Sequence, residues 1–271
     1  MRLHIRHRTV YRYDAPAEYA AQILRMTPRS HDGLKVLSWG IEAGASGRIA
    51  TFVDGFANLS HVLTVARRHD GLAVTVEGVV ETSATDGVVR GTEEPLPPAI
   101  YLRTTPLTAA NDSIHALAAE AARGIDGVTA RLHRLMTLVR ERIAYRPGAT
   151  NVATTAAEAL AGGAGVCQDH AHVFIAAARC LGLPARYVGG YLCVEDSNDE
   201  QEAGHAWVEA FDPERGWLAL DPANGICPGE RHVRTSVGLD YSSAAPVRGV
   251  RRGRGYETLQ VGVQVARLAE Q

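Results

Sequence analysis

The chain has 271 residues, 46% of them apolar and 21% charged, which excludes wholesale disorder and leaves room for two compact units with a substantial core. A formal charge of −2 offers no counter-charge to nucleic acid or anionic lipid, and Lys35 is the only lysine, so cationic contacts are guanidinium forks. Four cysteines do not make a disulfide scaffold at this size, the opening MRLHIRHRTVYRYD lacks the apolar run of a signal peptide, and no stretch has the length of a membrane span. The expectation is a cytoplasmic protein with reduced thiols and neither a nucleic-acid nor a membrane partner.

Residues 1–91 read as an antiparallel β domain, sandwich-like. Leu3, Ile5, His7, Thr9, Tyr11 and Tyr13 fall on one face of a strand, with Arg6, Arg8 and Arg12 on the other. Strand-like runs follow at 36–43, 48–54, 59–67 and 72–82, separated by turn residues. Residues 92–104, opening TEEPLPPAI, read as an extended linker. Residues 105–271 form the second domain. Its first helix, 113–123, is expected to be capped by Asp112 or Ser113. A second, from Thr129 to Ala144, sets Leu132, Leu135, Met136, Val139 and Ile143 on one face. A third opens with Thr155 and Glu158 in capping-box spacing and ends at Gly162–Gly163. A fourth runs from near Cys167 to about Cys180, stopped by Gly182 and Pro184. Strands at 185–194, 205–211 and 217–221 come next, and the C-terminal LQVGVQVARL (259–268) is strand-like.

The chemistry concentrates in three places. GGAGVCQDHAH (162–172) delivers Cys167 from a small-residue loop to the first turn of a helix. The partial positive charge and free N–H groups there stabilise a thiolate, and the same N–H groups stabilise an oxyanion. Taken alone, this loop fits a buried structural cysteine equally well. His205 opens the strand HAWVEAF and Asp221 ends the strand WLALD, with the turn DPERG between them. If opposed residues of this hairpin sum to 428, both side chains lie on one face as diagonal neighbours, close enough for an Asp–His hydrogen bond, provided no bulge intervenes. A carboxylate that orients an imidazole beside a thiolate is the arrangement of a nucleophilic triad.

GVCQDHAH, HAWVE and LDPAN resemble the three catalytic blocks of the transglutaminase-like superfamily. LGLPARYVGGYL (181–192) and HVRTSVGLDYSSAAPVRGV (232–250) are similar to its flanking segments. TVYRYDAP (9–16), LRMTPR (24–29) and DGFAN (54–58) resemble the β domain that precedes the core in one bacterial branch. The resemblance spans nearly the whole chain. It implies an α+β fold, a papain-like core with a cysteine heading a helix packed on an antiparallel sheet. It implies Cys167 as nucleophile, His205 as general base and acid, and Asp221 as orienter, acting without cofactor or metal on a peptide or protein amide through a thioester. Ala223 stands where the family more often has threonine. Hydrolysis as a peptidase or amidase is the favoured reading. A protein-glutamine amine transferase, or a non-catalytic binding module on the same fold, are the alternatives.

Other residues carry blander expectations. Asp169 reads as a capping partner at the helix start, with a substrate role as the alternative. Trp207 either shields the imidazole or packs the core. Tyr145 is a candidate oxyanion donor for which core packing is the favoured reading. Cys180 and Cys193 read as inert core thiols and Cys227 as a loop thiol. A zinc site from Cys167, His170, His172, His205 and Cys227 is disfavoured, because positions 167, 170 and 172 do not share a helical face. GVRRGRG (249–255) reads as a solvated turn.

Overall fold

The computed structural model describes residues 1–44, 47–194 and 203–269. The chain opens with strands β1 (Arg2–Leu24), β2 (Leu34–Ala43), β3 (Arg48–Val53), β4 (Leu59–Val65), β5 (His69–Thr82) and the short β6 (Val88–Val89). Helices α1 (Asp112–Ala122) and α2 (Val128–Arg142), strand β7 (Ala144–Tyr145), helix α3 (Ala156–Gly162), strand β8 (Ala164–Gly165) and helix α4 (Cys167–Cys180) follow. The last part holds β9 (Ala185–Leu192), β10 (His205–Asp212), β11 (Gly216–Leu220), β12 (His232–Gly238), α5 (Tyr241–Ala244), β13 (Val247–Gly253) and β14 (Glu257–Arg267). No helix among the described residues is long and apolar enough to cross a membrane.

β1 organises the first sheet. Its Leu3, Ile5, His7, Thr9 and Tyr11 are buried while Arg6, Arg8 and Arg12 are exposed, as the alternation requires. At 23 residues it outruns a single pairing, and its partners change halfway. Residues 2–12 pair with β5 and residues 3–13 with β14; beyond a register break after Arg12, residues 20–24 pair with β4 and 17–24 with β13. The sheet therefore curls on itself around a core that includes Tyr11, Leu24, Met26, Leu63 and Val76. This is the sandwich-like antiparallel unit, but its strands are not all N-terminal. β13 and β14 return to it, and β6 joins the second sheet, whose order is β12-β9-β10-β11-β6. Sheet membership thus crosses residues 92–104 in both directions.

The second unit is α+β. α4 is buried along its whole length from Gln168 to Ala178, packing on one side against β9 and β10 and on the other against α1, α2 and α3. Ala206, Val208 and Ala210 of β10 and Leu218 and Leu220 of β11 belong to this core. Local signals mostly act as the sequence predicts. Thr155 and Glu158 close their reciprocal cap on α3, and Gly163 ends it in the left-handed region at φ 61°. The cap of α1 differs. Asn111, rather than Asp112 or Ser113, accepts the hydrogen bond from the Ile114 N–H at 3.1 Å.

The stretch 92–104 is anchored rather than free. Glu94 grips the buried Arg186 through two bonds of 2.6 and 2.9 Å, and a 3-10 helix at Pro98–Leu102 buries Tyr101. The DGFAN motif joins the two sheets. Asp54 accepts from the backbone of Phe56 and Asn58 and from Arg25, and the Asn58 amide clamps both backbone groups of Val237 at 2.8 Å.

Candidate active site

The site forms where α4 begins, beside the first residue of β10. Val166 is the N-cap of α4 and Cys167 its first residue. The turn is held by Asp169, whose Oδ2 accepts from the Val166 N–H at 2.7 Å and from the Thr150 hydroxyl at 2.6 Å. The capping expectation for Asp169 is met, and the carboxylate also fastens the 150 loop to the helix. Gly165 is obligatory, since a Cβ there would lie 2.6 Å from Asp169 Oδ2.

The hairpin register is the one anticipated. Val208 pairs with Leu220 and Glu209 with Ala219, so opposed residues sum to 428. His205 and Asp221 share a face, and His205 Nε2 donates to Asp221 Oδ2 at 2.7 Å. On its other side the imidazole and the Cys167 thiol line one cavity. Burial alone lowers the His205 pKa. The hydrogen bond to Asp221, the neighbouring Cys167 sulfur and the Asp221 charge outweigh it, and the group is pushed up to about 10.

Asp221 is fully buried and its acceptor capacity is filled. Oδ1 takes the N–H groups of Ala223 and Asn224 at 3.1 Å each, and Oδ2 takes the Asn224 amide at 2.7 Å as well as His205. A second imidazole, His232 at the start of β12, reaches the same Oδ2 at 3.2 Å. Burial raises the Asp221 pKa, but these donors hold it well below the usual carboxylate range. Trp207 does both things the sequence allowed. It is buried, lies stacked on His205 at 6.1 Å between centroids, and meets His232 edge-on at 5.3 Å.

His232 and Asn224 are the site residues that sequence reading missed. Asn224 carried a signal, lying three residues past Asp221 within the LDPAN block. His232 had little beyond opening the C-terminal segment. Its arrival depends on sheet order, because β12 reaches the site across β9.

Tyr145 departs from the core-packing expectation. Its side chain is 57% exposed, and the parallel pairing of β7 with β8 sets it opposite Gly165, two residues before Cys167. His170 and His172 are buried but turned to backbone groups. The ring nitrogens of His170 face the carbonyls of Val166 and Ile143 at 2.8 and 2.9 Å, and His172 Nε2 accepts from the Tyr241 N–H at 3.1 Å. They do not converge with Cys167 and Cys227 into a zinc site. Among the described residues, His205, Asp221 and His232 do bring ligand atoms within 4.8 Å of one another. The hydrogen bonds on Asp221 Oδ2 account for that spacing. None of the four cysteines is in a disulfide. Cys193 is buried, and burial pushes the Cys180 and Cys227 thiols up.

A cavity of about 340 Å³ opens beside Cys167 and His205. A thiol at a helix start, an imidazole beside it hydrogen-bonded to a saturated carboxylate, and adjoining space for a ligand suit nucleophilic attack on a carbonyl.

Comparison with known proteins agrees with this picture. The family profile of the transglutaminase-like superfamily matches residues 115–222, and that of the bacterial transglutaminase-like N-terminal region matches residues 3–81. An uncharacterized protein of Mycobacterium leprae is 29% identical across 99% of both chains. One of Mycobacterium tuberculosis is 28% identical across 92% of this chain and 87% of its own. A protein-glutamine gamma-glutamyltransferase of Pseudomonas aeruginosa is 37% identical over 86 residues, 30% of this chain and 12% of its own. A crystal structure from Cytophaga hutchinsonii, described as a candidate cysteine protease, superposes with a TM-score of 0.80 over 100% of this chain and 92% of that one. At 20% identity, that likeness shows a shared fold.

Proposed function

The chain belongs to the transglutaminase-like superfamily, and from that premise we propose that it is a cysteine-nucleophile enzyme acting on peptide or protein amides as a peptidase or amidase. One observation carries the reading: His205, hydrogen-bonded to the buried Asp221 carboxylate, shares a cavity with Cys167 at the start of α4. In the proposed cycle His205 takes the Cys167 thiol proton as the sulfur attacks the amide carbonyl carbon. The oxyanion meets the N–H groups at the start of α4. The C–N bond breaks, and His205 gives its proton to the departing amine, leaving a thioester. Water then attacks the thioester carbonyl while His205 takes its proton, and the proton returns to sulfur as the C–S bond breaks. Asp221 holds the imidazole throughout, steadied by His232 and Asn224.

Transfer to an amine is the second reading, favoured by the name of the Pseudomonas aeruginosa relative, which aligns over 86 residues. Water exclusion at the acyl site decides between the two. Incubation with a peptide library, acid quench and intact mass spectrometry test both. A thioester adduct on Cys167 is the expected result, and its absence with turnover retained refutes the mechanism. Adding a primary amine separates the acceptors: amide products count for transfer, free carboxylates for hydrolysis.

A further inference from the structure

The cavity beside Cys167 is not confined to the helical core. At about 340 Å³ it is at the lower end of small-ligand sites. It runs from Cys167 and His205 to the curled sheet, where Thr9 and Tyr11 of β1 and Leu259 and Val261 of β14 form its far wall. Tyr11 and Leu259 are direct cross-strand partners there. The described lining contains no Asp, Glu, Lys or Arg, although such residues make up 21% of the chain.

Three of its polar side chains, His7, Thr9 and Tyr191, are tied to one another. His7 contacts the Tyr191 hydroxyl and the Thr9 hydroxyl at 3.1 Å each, and burial lowers its pKa to about 4, so it is uncharged at neutral pH. Against the wall formed by Thr9, Tyr11, Leu259 and Val261, a charged side chain gives up its hydration without meeting a counter-ion among the described lining residues. An apolar group entering it leaves water for Tyr11, Leu259 and Val261.

We propose that this cavity is the pocket for the acyl side of the substrate. It takes an uncharged, apolar side chain next to the reacting carbonyl, and β1 with β14 sets that preference. The N-terminal sheet is then half of the substrate site rather than an appendage to it. This inference rests on the reading of Cys167 as nucleophile, and the experiment separates the two.

The native protein is treated with N-acetylated chloromethyl ketones of phenylalanine, leucine, aspartate and lysine. The thiolate displaces chloride from each, forming a C–S bond, and peptide mapping follows the adduct on Cys167. Iodoacetamide, which carries no side chain, is run in parallel, and each rate is divided by that reagent's rate with glutathione. The phenylalanine and leucine reagents are expected to modify Cys167 roughly tenfold or more faster than the aspartate and lysine reagents. Leu259 is 56% exposed, so Leu259→Glu places a carboxylate on the wall with little burden on the core. In that variant the lysine reagent should gain on the leucine reagent by roughly tenfold. A flat series, a lead for the charged reagents, or an unchanged ratio in the variant, with iodoacetamide still marking Cys167, overturns the pocket and leaves the nucleophile standing. If iodoacetamide does not mark Cys167 ahead of Cys180, Cys193 and Cys227, the nucleophile falls and the pocket with it.

Discussion

Strand β10 carries two buried charge clusters on one face. At its start, His205 and His232 converge on Asp221. Four residues along, Glu209 accepts from Arg186 at 2.7 Å and from Arg234 at 2.9 Å, and Arg186 reaches on to Glu94. Both carboxylates are buried, and burial pushes against ionisation in each. Their donors win in each, holding Glu209 down at about 2 and Asp221 lower still. The partners and the surroundings differ. Arg186 is capped by Trp217, 3.8 Å from its guanidinium, and by Tyr101, so the Arg186–Glu209 pair is closed off and its guanidinium has no proton to give. The first cluster has titratable imidazoles, a thiol and a cavity in front of it. A buried ionic cluster becomes a site when its cation can give up a proton and a substrate can reach it; otherwise it is a fastening.

Four substitutions or conditions break or sharpen that contrast. Cys167→Ala should cut turnover by roughly 10⁴-fold or more while circular dichroism stays native; residual turnover close to wild type would remove the first cluster from the chemistry. Asp221→Asn should lower kcat by about 10³- to 10⁴-fold, with a smaller effect on KM, because the imidazole loses its orienting charge. Steady-state kinetics with KM changed and kcat intact would argue for a purely binding role.

Glu209→Gln is expected to act on stability instead. It leaves Arg186 buried beside a neutral amide, and denaturant unfolding should report a loss of about 3–5 kcal/mol with turnover per folded molecule unchanged. Lost activity in a fully folded variant would collapse the distinction between the clusters.

The fourth effect is in pH. His205 is raised from 6.5 to about 10 in the folded protein, so its contribution to stability is fully present below pH 6.5 and is lost as pH rises through about 10. Asp221 and Glu209 are depressed, so their contributions are present above 3.8 and 4.5 and are lost only as pH falls through their folded values. The Tm of the wild type should therefore fall more steeply between pH 6.5 and 10 than that of His205→Ala. Parallel curves would contradict the raised His205.

The contrast between the clusters also marks what a sequence can disclose. The placing of Cys167 at a helix start and of His205 against Asp221 was legible because its information is local: a small-residue loop before the helix, and a hairpin whose turn sets the 428 register that faces His205 toward Asp221. The caps of α3 and the alternation of β1 were legible for the same reason. What escaped depends on long-range assembly. His232 comes from a strand that neighbours β9 rather than β10, the Glu94–Arg186–Glu209 chain spans three separate segments, and β13 and β14 choose β1 as partner. Tyr145 was misplaced because a two-residue parallel bridge leaves no periodic trace.

β1 and β14 lie at opposite extremes of the described chain, with Leu3 against Arg267 and Tyr11 against Leu259. Synthesis proceeds from the N-terminus, and pairings this distant in sequence are slow to close. Cys167, His205 and Asp221 all leave the ribosome after β1 and before β14, the two strands that wall their cavity. The order of manufacture thus brackets the thiol: one side of the proposed pocket is made before it, and the wall is completed only when β14 arrives to pair with β1.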